Sequence, residues 1–296
     1  MAHLKTLDAK GLTRSATQET ISALIVSGKP FFLARPGGTE SEGMRFYARK
    51  RLTSLKKKPP AYSGWFRKFV EIGPGVTHFS DLDLDVFCKH YLQATLDADI
   101  FAFGRFAPGA IGLAKSLAEN GVPVTHFLNP EPLFAVRENL RPWTQALEGK
   151  SVLIVHPFEK SIRRQFEKRS SITDISKILP DFTLHTLSPP ITFAGEKSSS
   201  PWVEQFEELV TRALQIKFDI AIIGAGGYGL PLAHAIKKAG RQAIHLGGTT
   251  QLLFGIRGKR WDNDRHYAGF FDDTWIRPGS DERPNGSHLV EGGSYW

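Results

Sequence analysis

Residues 218–240 read FDIAIIGAGGYGLPLAHAIKKAG. An apolar run, Ile220–Ile223, stops at a glycine cluster, and a helical pattern follows in Leu230, Leu232, Ala235 and Ile236. Gly224, Gly226 and Gly229, with Gly227 and Tyr228 between them, spell G-x-G-x-x-G between a strand and a helix. Such a turn lets a ligand approach the backbone closely, and the free N–H groups of the helix behind it suit an anion. A nicotinamide dinucleotide also needs an acid at the end of the next strand, to hold its ribose. That strand, RQAIHLGG (241–248), ends in His245, Gly247 and Gly248 with no Asp or Glu, so NAD is not expected. A purely structural turn remains open.

Working outward, the same alternation recurs. An amphipathic helix, WVEQFEELVTRALQIK, feeds the strand at 218, and TTQLLFGIRG after 248 is expected to start a helix. Upstream, SVLIVHP (151–157) is an apolar strand and FEKSIRRQFEKR (158–169) a basic helix. Residues 170–201 have a looser, loop-like texture. Further towards the N-terminus, PFFLAR (30–35), IFAFG (100–104) and VPVTHFL (122–128) read as strands. Helices are expected before Gly28, over 40–55, across DLDLDVFCKHYLQATLDAD and over PGAIGLAKSLAENG; short helices are expected between 129 and 150. The pattern predicts an α/β protein: a Rossmann-like, mostly parallel sheet with helices on both faces, in one or two lobes. The division expected is an N-terminal α/β lobe over 1–140 and a C-terminal one over 141–296.

Composition narrows the classes. The 296 residues, 41% hydrophobic, suffice for a large core. One cysteine, Cys88, supports neither a disulfide framework nor a Cys-based zinc site. The opening MAHLKTLDAKGLTRS has no apolar signal-peptide core, and no run of about 18 apolar residues occurs, so a cytoplasmic protein without a transmembrane segment is the default expectation. The net charge is +8, with basic clusters at 49–51, 56–58, 160–169 and 257–260. No helix-turn-helix, RRM-like or zinc-finger pattern accompanies them, so nucleic acid is not an expected partner.

In a parallel sheet, ligands sit beyond the carboxyl ends of the strands. Four such ends carry suggestive residues: LARPGGTE, IVHPFEK, IIGAGGYG and IHLGGTTQ. Gly247 and Gly248 resemble the first glycine turn in position. Thr249 and Gln251 follow, and Arg257, Lys259 and Arg260 lie just beyond, a setting that suits a diphosphate. His156 ends a strong strand and is a candidate proton carrier. Arg35, Gly37 and Glu40 surround another tight turn. Each has a plainer use: Thr249 as a helix cap, His156 as a buried strand-end residue, Glu40 as a first-turn helix carboxylate. No H-E-x-x-H, G-x-S-x-G or P-loop pattern is present, and the ten histidines do not cluster at metal-ligand spacing.

The block FDIAIIGAGGYGLPLAHAIKKAGRQAIHLGGTTQLLFGIRGKRWD resembles one found in bacterial proteins with a GT-D-like domain, in surface-polysaccharide gene contexts. LEGKSVLIVHPFEKSIRRQFEKR and the closing WIRP…E…YW fit the same pattern. The resemblance runs from about Trp143 onward and, more loosely, over FFLARPGGTE. It implies a glycosyltransferase fold whose R-x-G-D-G-E turn gathers a metal ion and a nucleotide-sugar diphosphate. Arg35, Gly37 and Glu40 match that turn, but the Asp position is Gly38. Glu40 would then be the general base or the remaining ligand of a Mn or Mg ion, a metal that the Gly38 departure puts in question, and Arg257, Lys259 and Arg260 would neutralise the diphosphate instead. His156 and Glu291 are further candidates for proton transfer. The implied partners are a nucleotide-sugar donor and a glycan acceptor. The alternative from another class is a non-catalytic protein that binds a nucleotide or glycan precursor. Trp275, Tyr295 and Trp296 predict a tail that packs back onto the sheet and brings Glu291 to the strand-end crevice.

Overall fold

Thr13 opens the first helix, α1 (Arg14–Ser27), where its hydroxyl accepts the Ala16 N–H. Gly28 closes it with φ 66, a left-handed conformation that favours glycine. The computed structural model describes residues 13–53, 61–102, 127–128, 130–196 and 198–296. After α1 come β1 (Phe31–Ala34), α2 (Gly38–Thr53), α3 (Gly64–Ile72), α4 (Asp81–Leu96), β2 (Ile100–Ala102) and β3 (Phe127–Leu128). Ser80 and Asp83 cap α4 reciprocally. Next are α5 (Pro132–Arg137), β4 (Ser151–Val155), α6 (Glu159–Glu167), α7 (Ile175–Ile178) and β5 (Thr183–Leu187). The chain continues through α8 (Trp202–Gln215), β6 (Ile220–Ile223), α9 (Gly229–Lys238), β7 (Gln242–His245) and α10 (Lys259–Asp262). The basic cluster at 56–58, the helix expected within PGAIGLAKSLAENG and most of the strand at 122–128 lie outside the described residues.

The strands form one seven-stranded sheet in the order β3-β2-β1-β7-β6-β4-β5, parallel throughout. β1 hydrogen-bonds to β7, so the boundary expected near residue 140 falls between strands of one sheet. Successive side chains point to opposite faces, and the core divides accordingly. Ile220, Ile222, Val152, Ile154, Leu33 and Ile244 join one apolar cluster with α1, α6 and α7. Ala221, Ile223, Leu153, Val155, Phe32 and Ala243 join the other with α2, α3, α4, α8 and α9. Burying each large side chain contributes roughly 1.5–3 kcal/mol, so strands buried on both faces hold the register firmly.

Two elements were not expected from the looser texture of 170–201: α7 and β5. The helix expected from TTQLLFGIRG is a 3-10 helix, Gly247–Phe254, that ends at Gly255 with φ 65.

The register aligns the strand ends: Val155 pairs with Ile223, Ile223 with His245, and Leu33 with Ile244. The chain then leaves the sheet on alternating faces. From β4 it turns towards the α6 face and from β6 towards the α9 face. From β7 it returns to the first face through Leu252, Leu253 and Phe254, and from β1 it joins the second face through Met44 of α2. Connections that part in this way open a crevice at the carboxyl edge.

Candidate functional site

The glycine turn after β6 is filled by the protein itself. A Cβ on Gly224 would stand 2.5 Å from the Gly247 carbonyl and 2.7 Å from the His156 ring. One on Gly226, where φ is 50, would meet the Pro74 carbonyl at 2.6 Å. One on Gly229 would meet the His245 ring at 2.6 Å. The Gly227 N–H donates to the Pro74 carbonyl at 2.8 Å, so that amide is already used. The Tyr228 hydroxyl meets Thr192 at 3.1 Å, and Thr192 donates to the Gly75 carbonyl at 2.6 Å. Close approach is thus the reason for these glycines, but the approaching groups are the chain after α3 and two histidines. Gly224, Gly226, Gly227, Tyr228 and Gly229, expected to bind a ligand, pack the crevice wall against the chain's own groups.

Both histidines are correspondingly buried. Burial lowers His156 to about 3 and, with the Arg35 charge, His245 to about 3, so both are neutral at pH 7. His156 Nδ1 accepts the Phe158 N–H at 3.0 Å, which places the ring proton on Nε2. With Nδ1 engaged by the Phe158 N–H, the ring offers the crevice an Nε2–H donor and no free lone pair, which bears on the expectation of proton transfer at His156. His245 rests on Gly229 and shields the helix behind it.

Arg35 is a strut. Its Nη1 donates to the Leu246 carbonyl at 2.8 Å and to the Thr249 hydroxyl, and its Nη2 reaches Glu131 at 3.2 Å. Glu131 also accepts from the Tyr267 hydroxyl. Arg35 therefore ties β1 to the turn after β7 instead of facing a phosphate. Thr249 is buried there, and its hydroxyl donates to the Leu246 carbonyl at 3.1 Å, as a cap does. Sequence reasoning gave no sign of Glu131, Tyr267 or Pro74, since none lies near a motif.

Glu40 stands in the first turn of α2. Its carboxylate fills the space a Cβ on Gly37 would take, 2.2 Å from that position. The Gly37 N–H donates to the Tyr91 hydroxyl at 3.1 Å, which fixes the turn. Burial pushes the Glu40 carboxyl up to about 7; its own backbone N–H opposes this and the Glu291 charge adds to it.

Glu291 is there because the tail returns. The Arg260 N–H donates to the Ser294 carbonyl at 2.9 Å, and the Lys259 N–H to the Trp296 carbonyl at 3.2 Å. Gln251 donates to the Tyr295 carbonyl at 3.2 Å, and Lys259 Nζ to the Gly292 carbonyl at 3.0 Å. The Tyr295 ring lies on Gly248, 2.3 Å from where a Cβ would sit. Trp296 is buried beside Phe158, with ring centroids 5.9 Å apart. Arg260 then pairs with Glu291 and donates to the Tyr295 hydroxyl at 3.2 Å. Burial raises the Tyr295 phenol, Arg260 lowers it, and Glu291 and Glu40 raise it further.

One carboxyl edge thus gathers Glu40, Glu291, Tyr295, Arg260 and Lys259. Gly38 and Gly247 border it with open space, since a Cβ on either would meet nothing within 4 Å. The donors do not fit a divalent ion. Gly38 supplies no ligand and Glu291 is paired with Arg260 in the free protein, so Glu40 alone offers fewer oxygens than such an ion takes. Among the described residues no three His, Cys, Asp or Glu side chains gather as a metal would require. Among the same residues no helix is long and apolar enough to cross a membrane.

No family model matches the chain, and no curated protein matches it. Two solved structures are similar at 11% identity. One is a selenomethionine-substituted structure of domain of unknown function 1792; the match covers 88% of this chain and 90% of that one, with a TM-score of 0.45. The other is described as showing that this highly conserved domain has a distinct glycosyltransferase fold; the match covers 88% and 96%, with a TM-score of 0.38. So loose an overlap decides nothing about chemistry, which comes from the residues of this chain.

Proposed function

We propose that the chain is a glycosyltransferase that moves a sugar from a nucleotide-activated donor to a hydroxyl of a glycan acceptor. The setting proposed is bacterial surface-polysaccharide synthesis at a cytoplasmic site. The observation that carries the reading is Glu40, a carboxyl buried at the end of β1 with Glu291, Tyr295 and Arg260 around it. Burial and a neighbouring charge bring its proton affinity close to neutrality, where a general base works best. In the reaction, ionised Glu40 takes the proton of the acceptor hydroxyl. The acceptor oxygen bonds to the anomeric carbon as the bond from that carbon to the diphosphate breaks. The diphosphate leaves with the bonding pair, and Arg260 and Lys259 offset its charge.

The test is a panel of UDP-, GDP- and dTDP-sugars with wild type and Glu40→Gln. Transfer with one donor is expected, and the variant should bind that donor while kcat falls about 10²- to 10⁴-fold. No binding to any member would refute the reading. A second reading, a nucleotide or glycan-precursor binding protein, is favoured by the self-filled glycine turn and by Gly38. Binding without transfer or hydrolysis would select it.

A further inference from the structure

We propose that Glu291 is the resident anion of this site: it occupies Arg260 in the free protein, and a phosphate-bearing ligand displaces it. The idea rests on the reading above only for the nature of that ligand, since the exchange itself needs nothing more than an oxyanion.

Four observations support the exchange. First, Arg260, Lys259 and Glu291 are all exposed, so an arriving anion can reach the pair. An exposed ion pair is weakly held, and a diphosphate brings more charge than one carboxylate. Second, Arg260 does not depend on Glu291 for its place. Its N–H is held by the Ser294 carbonyl and its Nη1 by the Tyr295 hydroxyl, and its guanidinium lies 4.8 Å from the centre of the Tyr295 ring. Removing Glu291 leaves an oriented cation behind.

Third, Glu291 reaches Arg260 from a strained turn whose main chain is held by other contacts: the Gly293 and Ser294 N–H groups donate to the Val290 carbonyl, and Lys259 Nζ to the Gly292 carbonyl. The Glu291 φ is 48, an unfavourable value for a residue with a Cβ, and Gly292 and Gly293 follow with φ 70 and 85. The residues after the turn are anchored separately, through Ser294, Tyr295 and Trp296. The Glu291 carboxylate can therefore leave Arg260 by rotation of its own side chain, with the turn and the tail kept in place. Fourth, Glu291 and Glu40 repel each other, so departure of one relieves the other. Glu291 is thus a competitor that sets affinity, and no proton step is assigned to it.

The probe is inorganic pyrophosphate, titrated calorimetrically into the full chain at low salt. Glu291→Gln should bind it about 2- to 5-fold tighter than wild type, the range expected for removing an exposed ion pair. Arg260→Ala should bind it at least about tenfold more weakly. The melting temperature should rise more with pyrophosphate in Glu291→Gln than in wild type. Unchanged or weaker binding by Glu291→Gln, or no binding by either protein, overturns the proposal. Sugar-transfer assays judge the catalytic reading separately. Tighter pyrophosphate binding without transfer leaves the exchange standing and removes the glycosyltransferase.

Discussion

At the scale of single residues, Glu40 makes the sharpest claim about pH. Its carboxyl ionises near 4.5 in an unfolded chain and at about 7 in the folded protein. Between those values the folded state binds more protons than the unfolded one, so stability falls as pH rises through the window. The loss is on the order of 3 kcal/mol across it. His156 and His245 act in the opposite sense. Their folded values of about 3 lie below the ordinary 6.5, so their contribution is lost as pH falls from 6.5 towards 3. Comparing wild type with Glu40→Gln cancels the histidines and isolates the glutamate. Urea unfolding should show the variant gaining stability relative to wild type from about pH 5 to about pH 8. Parallel profiles would mean that Glu40 ionises like an exposed glutamate.

At the scale of elements, the glycine turn between β6 and α9 is a packing device. Gly226 combines a φ of 50 with the Pro74 carbonyl at the position its side chain would need. Gly226→Ala is therefore expected to cost about 1–3 kcal/mol of stability, because the left-handed conformation and the close contact both penalise a Cβ. Pyrophosphate affinity of the folded fraction should not change. Denaturant melts and titration calorimetry on the same preparation separate these effects. A variant of full stability that had lost pyrophosphate would return the turn to ligand binding.

At the scale of the whole molecule, the tail is a structural member. It joins α10, the turn after β7 and Phe158 through main-chain hydrogen bonds and the buried Trp296, whose indole N–H donates to the Glu282 carbonyl at 3.1 Å. Deleting residues 291–296 exposes the ground beneath Trp296 and leaves the α10 amides unpaired. Loss of one such side chain, about 2–3 kcal/mol, predicts a melting temperature lower by roughly 3–5 °C in a chain of this length. Differential scanning calorimetry reads this directly, and an unchanged midpoint would show that the tail only rests on the surface.

The alternating pattern of the sequence determined the parallel sheet, because strands such as IAII and SVLIV buried on both faces leave no other place for their side chains. It also marked the strand ends and the aromatic tail, since apolar runs stop where turn residues begin and large rings are costly in water. It missed β5, an edge strand whose TLHTL carries too few apolar residues to stand out. The partners of each polar group were decided only by tertiary structure. Arg35 finds Glu131 across 96 positions and Arg260 finds Glu291 across 31. The G-x-G-x-x-G admits a carbonyl from Pro74, more than a hundred residues upstream in sequence. A glycine or a cation in a sequence states what it can accept. Which group arrives depends on how distant segments pack, and here the chain's own atoms fill places that a local motif would have assigned to a ligand.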